Sequence, residues 1–281
     1  MTGGTSRTGT GTETGTETGT GTGTGTGKAA APQDFWAALR LTTQSRIGLG
    51  RAGDSLPTRH VLELKAAHAS ARDAVHEPLD ADDFAERIAA VGIGRPVIVT
   101  SRAAGRSEYL KRPDLGRLPA DLSMIDSGEA DIGVVLADGL SPRALADHGV
   151  GLLEALVSEL RAGYSLAPPV IATQARVALG DHLAQAMGVR TVLVVIGERP
   201  GLSVADSLGI YLTHLPRPGR TDADRNCISN IHPPDGLSYR QAARVVAGLV
   251  AGARLLGQSG VKLKDTSRAA SLGPGGGSVL D

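Results

Sequence analysis

The apolar positions of this chain follow two patterns, and the change between them divides it. Up to about residue 95 they recur at helical spacing. Residues 34–40 set Phe35, Trp36 and Leu39 on one side of a short helix. Ser55 followed by Pro57 reads as an N-cap and an early proline, opening a long helix over residues 55–75. Asp80 is placed to cap the next helix, whose stripe is Phe84, Ile88 and Val91. From Val97 onward short unbroken apolar runs, rich in β-branched residues, take over, at residues 97–99, 132–136, 170–172, 192–196 and 210–212. Helical stretches at 145–160 and 177–187 separate them. Residues 214–236 read as a long polar loop, and Ser238 is placed to cap a last helix reaching Leu256.

Continuous apolar strands alternating with helices predict a parallel sheet covered on both faces. Right-handed crossovers then give an α/β fold with an open, doubly wound (Rossmann-like), mostly parallel sheet and an N-terminal helical extension. Ligands on such sheets sit at the carboxyl ends of the strands. Those ends are expected at Ala137-Asp138-Gly139, Ala172-Thr173, Ile196-Gly197-Glu198 and Thr213-His214.

Composition narrows the picture. Residues 1–27 hold 12 Thr and 10 Gly, with no large apolar side chain after Met1. Such a stretch buries too little surface to offset its chain entropy, so 1–30 is expected to be a disordered tail. The glycine-rich 266–281 is expected to be a flexible one. Between them lie the helical extension, 31–95, and the α/β domain, 96–265. Lys+Arg and Asp+Glu both number 29, which argues against a chain built to grip nucleic acid or an anionic membrane. No apolar run is long enough for a membrane helix and no export signal is visible, so the cytoplasm is the expected location. The single cysteine excludes a disulfide framework within the chain.

Several motifs invite chemistry. Gly48-Leu49-Gly50-Arg51-Ala52-Gly53 matches G-x-G-x-x-G, with Asp73 following. A true dinucleotide fingerprint follows a strand and places its third glycine inside the next helix. Here the preceding residues are polar and Pro57 marks a first turn, so a glycine-rich turn is the better reading. A nucleotide-binding α/β enzyme using Gly48–Gly53 is the alternative. His60, His68 and His76 are eight apart and do not share a helix face, so no metal site is expected from them. Gly197-Glu198-Arg199-Pro200-Gly201 follows the strongest strand and is the best-placed site segment by topology. Glu198 there is either a site carboxylate or a partner of Arg199. Cys227 as a nucleophile would need a base such as His232; a lone cysteine is more often a small packed apolar group.

Five segments occur in order: Ser45-Arg46-Ile47 through Gly50-Arg51-Ala52-Gly53; Tyr109-Leu110 with Arg112-Pro113-Asp114-Leu115-Gly116-Arg117; Asp138-Gly139-Leu140-Ser141; Gly197-Glu198-Arg199-Pro200-Gly201-Leu202; and Asp224-Arg225 with Cys227-Ile228-Ser229-Asn230-Ile231-His232. Together they resemble the small (light) subunit of ethanolamine ammonia-lyase over residues 45–253. The resemblance implies an adenosylcobalamin enzyme that converts ethanolamine to acetaldehyde and ammonia. Cobalt–carbon homolysis there gives an adenosyl radical that abstracts hydrogen from the substrate. It implies a large-subunit partner, a TIM-type barrel holding the substrate, with the small subunit covering the cobalamin from the other side. Several such pairs assemble. The cofactor is expected base-on, in agreement with the absence of D-x-H-x-x-G: Asp147-His148 and Asp181-His182 are adjacent pairs.

By position the resemblance carries over three cofactor-binding residues, Val177, Glu198 and Cys227, with Asp138, Gly197, Arg199 and Asn230 around them. No catalytic or metal-ligating residue carries over. Glu198 lies at an expected strand end and Val177 just beyond one; Cys227 rests on the resemblance alone. The Thr-Gly tail is not a family feature. It leaves open whether the chain enters a bacterial microcompartment, as the N-terminal segment of some family members directs.

Overall fold

The computed structural model describes residues 35–265, so the expectations for the two terminal tails lie outside the described residues. The chain divides into two compact units, one ending at Gly48 and one beginning at Leu49. In the first, the short helix α1 (Phe35–Arg40) stacks Phe35 edge-on against Trp36. Arg40 donates to the carbonyls of Ile47 and Gly48, closing the turn.

In the second unit α2 (Thr58–His76) is largely exposed, with only Ala74 buried. Ser55 does not cap it. The N-cap is Pro57, and Ser55 instead exchanges backbone hydrogen bonds with Ala52 in a tight turn. Gly48, Gly50 and Gly53 all have positive φ, no strand precedes them among the described residues, and α2 starts only at Thr58. The glycine motif therefore lacks the strand–turn–helix context that cradles a pyrophosphate. Asp80 caps α3 (Ala81–Ala89) as expected, accepting from the Asp83 N–H, and Phe84 and Ile88 are buried.

A six-stranded sheet follows, built of β1 (Val97–Thr100), β2 (Ile132–Ala137), β3 (Val170–Thr173), β4 (Thr191–Gly197), β5 (Leu208–His214) and β6 (Asn226–Ile231). Their order is β1-β3-β2-β4-β5-β6. The first four are mutually parallel, while β4–β5 and β5–β6 are antiparallel. Two expectations are corrected here. Residues 214–236 are not all loop, because β6 lies within them and contains Cys227. Its mixed polar side chains alternate at a sheet edge, a weaker signal than a buried apolar run. And because β5 runs antiparallel, Thr213-His214 lies at the opposite edge of the sheet, where His214 Nδ1 meets Thr191 Oγ1 at 2.8 Å.

The remaining helices are α4 (Arg106–Lys111), α5 (Pro142–Leu160), α6 (Leu179–Met187) and α7 (Tyr239–Leu256). Ser141 caps α5 ahead of Pro142, and Ser238 forms a capping box with Gln241 on α7. One core face gathers Phe84, Leu153 and Leu156 with Leu208, Ile210 and Leu212. The other gathers Leu179 and Leu183 with Val135, Val192 and Val194. Alternate strand residues feed opposite faces, as the period of two requires.

Candidate functional site

The carboxyl ends of β2, β3 and β4 converge, and short backbone contacts lock them together. Leu140 N–H donates to the Gly197 carbonyl at 2.9 Å. A Cβ on Gly139 would overlap that carbonyl, and one on Gly197 would overlap the carbonyl of Ser141, so only glycine fits either position. Asp138, buried at the end of β2, accepts the N–H groups of Gln174 (2.8 Å) and Ala175 (3.0 Å), just past β3. Burial pushes its carboxyl up; those N–H groups and Arg106, at 3.6 Å, act in the opposite direction. Arg106 is fixed in turn by the carbonyls of Val75 and Gly139.

Tyr109, on α4, completes the support. Its hydroxyl donates to the Ala175 carbonyl at 2.9 Å, and burial raises its pKa. The guanidiniums of Arg106 and Arg176 lie over its ring at 5.0 and 4.6 Å from the centroid. Arg176 and Val177 are thereby presented at the mouth of the sheet, just ahead of α6.

Two cavities open there. One, of about 430 Å³, is lined by Leu140, Val177, Glu198, Arg199 and Tyr211, among others. The second, of about 440 Å³, takes in Arg117, Arg176, Arg220 and Thr221. Both include Arg176, Val177 and Tyr211 in their walls. Glu198 is held by the Ser207 hydroxyl at 2.6 Å and the Asn230 N–H at 3.3 Å. Those bonds fix its orientation on the cavity wall, and Arg199 is exposed on the same wall.

Cys227 stands outside the lining. It lies opposite Tyr211 in the β5–β6 register. Tyr211 is pushed up to about 12, first by burial and then by Cys227. Burial pushes the Cys227 thiol up too, which keeps it protonated at neutral pH. His232 Nε2 is engaged by Asn230 Oδ1 at 2.8 Å. The geometry thus speaks against an activated thiol nucleophile. Among the described residues no cluster of three or more His, Cys, Asp or Glu is poised for a metal.

The structure brings Val177 and Glu198 into one cavity and joins Cys227 to it through Tyr211. Sequence reasoning gave no role to Tyr211, Tyr109 or Arg176. A tyrosine interrupting the aliphatic run Ile210–Leu212 was the available signal for the first, and the adjacency to Val177 for the last. Together the walls offer an oriented carboxylate, guanidinium donors and an apolar floor. That set suits a large ligand carrying amides and anionic groups.

Residues 33–264 match the family described as ethanolamine ammonia-lyase light chain (EutC). The chain is 72% identical over 248 residues to an ethanolamine ammonia-lyase small subunit of Rhodococcus erythropolis, covering 88% of this chain and 96% of the relative. It is 46% identical over 251 residues to that of Xanthomonas campestris pv. campestris (86% and 92%) and 44% identical over 256 residues to that of Ralstonia nicotianae (88% and 94%). With the match spanning nearly all of the described residues, the chain belongs to the ethanolamine ammonia-lyase light-chain, or small-subunit, family.

Proposed function

We propose that this chain, an ammonia-lyase subunit by family, binds base-on adenosylcobalamin at an interface with a large subunit, and that the pair converts ethanolamine to acetaldehyde and ammonia. The observation that carries this reading is the cavity that brings Val177 and Glu198 together at the sheet's carboxyl edge, with Cys227 across the strand pair from its wall residue Tyr211.

The residues fit the cofactor. A corrin is a broad apolar disc rimmed with amides, and its nucleotide loop contains a phosphodiester. Glu198 is oriented to accept from an amide, and Val177, Leu140 and Tyr211 supply apolar wall. Arg176 Nε, in the wall of both cavities, is buried without a hydrogen-bond partner among the described residues, a condition that a polar ligand relieves. When bound, adenosylcobalamin supplies the radical chemistry of hydrogen abstraction. This chain's own residues bind and orient the cofactor and exclude water. The substrate-activating groups belong to the large subunit, so the chain alone is expected to be inactive.

We also read the sheet as an open doubly wound one, with residues 31–95 as a helical extension and 96–265 as the cofactor domain. Helices on both faces of four parallel strands support that reading. No described helix is long and apolar enough to cross a membrane. The cytoplasm is the proposed location, and entry into a microcompartment is left to experiment.

The test is to produce the chain with the large subunit from the same source and assay acetaldehyde release. Release that needs both chains and adenosylcobalamin supports the reading; turnover by the single chain overturns it. Glu198→Ala in the assembled enzyme is expected to weaken cofactor binding by about tenfold, the loss of one hydrogen bond to a charged acceptor.

A further inference from the structure

We infer that Arg117 and Arg176 form an anion subsite that takes the phosphodiester of the cofactor's nucleotide loop. The inference rests on the reading that the neighbouring cavity takes cobalamin.

The second cavity is walled by four arginines, Arg117, Arg176, Arg220 and Arg225. Two are already neutralised. Arg225 makes a fully buried bidentate pair with Asp181 at 2.8 and 2.6 Å, and Arg220 pairs with Asp224 at 3.3 Å. No ion pair with a described residue engages Arg117 or Arg176. The Arg176 Nε is buried without a hydrogen-bond partner among the described residues, and its guanidinium rests on the Tyr109 ring. Opposing these two free guanidiniums is one wall carboxylate, Asp222. The Thr221 hydroxyl is committed to Asp224. The balance leaves one uncompensated positive charge in the wall, matched to a monoanion.

A phosphodiester is a monoanion with two free oxygens, suited to guanidinium donors. The cavity shares Arg176, Val177 and Tyr211 with the one proposed for the corrin. A group tethered to the corrin rim by a short linker can therefore reach it without leaving the protein wall. Arg176 is held from behind by Tyr109, which hydrogen-bonds Ala175, so it is pre-organised.

The experiment compares cyanocobalamin with cobinamide, which lacks the phosphate and nucleotide, by spectral titration of the co-produced large–small complex. Arg117→Ala is the main variant, since Arg117 is exposed and its loss leaves the core untouched. Arg176→Gln is the second, with Arg176→Lys as its charge-keeping counterpart. Arg112→Ala is the control; it lies on the same turn but is already paired with Asp114. Arg117→Ala and Arg176→Gln are each expected to weaken cyanocobalamin binding by about tenfold and cobinamide binding by less than about twofold, with Arg176→Lys recovering part of the loss. Arg112→Ala is expected to change neither.

Equal weakening for both ligands would mean that the arginines only shape the wall, and would overturn the subsite. So would an unchanged affinity for both. Inorganic phosphate that binds the apo complex through Arg117, with the cobalamin-to-cobinamide ratio untouched by the variants, would assign the cavity to a free anion instead. If the wild-type complex binds neither corrinoid, the cobalamin reading fails first and the subsite falls with it.

Discussion

The two faces of the sheet are covered unequally, and the site follows from that inequality. One face lies under two long helices, α5 with 19 residues and α7 with 18, together with α3. Its core is aliphatic from β2 through β6. The other face has the 9-residue α6, which reaches β2 and β4 but leaves β5 and β6 thinly covered. Leu208, Ile210 and Leu212 therefore point into a closed core, while Tyr211 and Cys227 stand half-covered or exposed on the opposite side. Burial on the first face stabilises the fold. The short helix on the second leaves room for the cavity that Arg176, Val177 and Glu198 line.

Substitutions can break or sharpen that contrast. The largest effect is expected at the buried Asp181–Arg225 pair beside the open face. Asp181→Ala strands Arg225, whose Nη1 also donates to Thr213 Oγ1 at 2.7 Å, and is expected to cost about 3–5 kcal/mol in urea unfolding. An unchanged midpoint would mean that Arg225 finds water or another acceptor. Leu153→Ala, fully buried on the closed face, is expected to cost about 3 kcal/mol and to leave the affinity of the folded fraction for cobalamin unchanged.

A smaller effect is expected at Asp131, which ties the turn before β2 to Ser165 and to Arg254 of α7. Its carboxylate accepts the Ser165 N–H at 3.0 Å and hydroxyl at 2.8 Å, and Arg254 at 2.8 Å. These bonds, the Ser165 N–H first, hold its pKa at about 2 instead of the ordinary 3.8. A lowered folded pKa means stabilisation that is present above the ordinary value and is lost as pH falls through the folded one. Asp131→Asn is therefore expected to lose about 1 kcal/mol at neutral pH. The gap to wild type should narrow in acid unfolding from about pH 5 toward about pH 2. Cys227→Ala, on the exposed edge, is expected to change stability by less than about 0.5 kcal/mol while weakening cobalamin binding several-fold. A stability loss comparable to that of Leu153→Ala would show that the open face is closed after all.

How much was legible beforehand depended on whether a feature is local. The apolar runs at Ile132, Val170 and Val192, the helix caps Asp80 and Ser238, and the strand-end placement of Glu198 could all be read directly. Each is set by neighbours within a few residues: a run of β-branched side chains, or a side-chain oxygen facing an N–H three residues on. Ser55 was misassigned because its residue type fits a cap, while its backbone is drawn into a turn with Ala52.

Strand direction had no such local signature. Val192–Ile196 and Ile210–Leu212 look alike, yet they run opposite ways, because direction is decided by where the intervening chain can return. That alone sent Thr213-His214 to the far edge and drew Cys227 into β6 beside Tyr211. The sequence by itself determined the buried strands, the capped helices and, through five ordered segments, the family. Only the tertiary structure decided that Asp138 stitches β2 to the turn after β3, that Tyr109 supports Arg176, and that two of the four cavity arginines have no ion pair among the described residues. Those contacts join residues tens of positions apart, and their partners are chosen by packing, which no local pattern encodes.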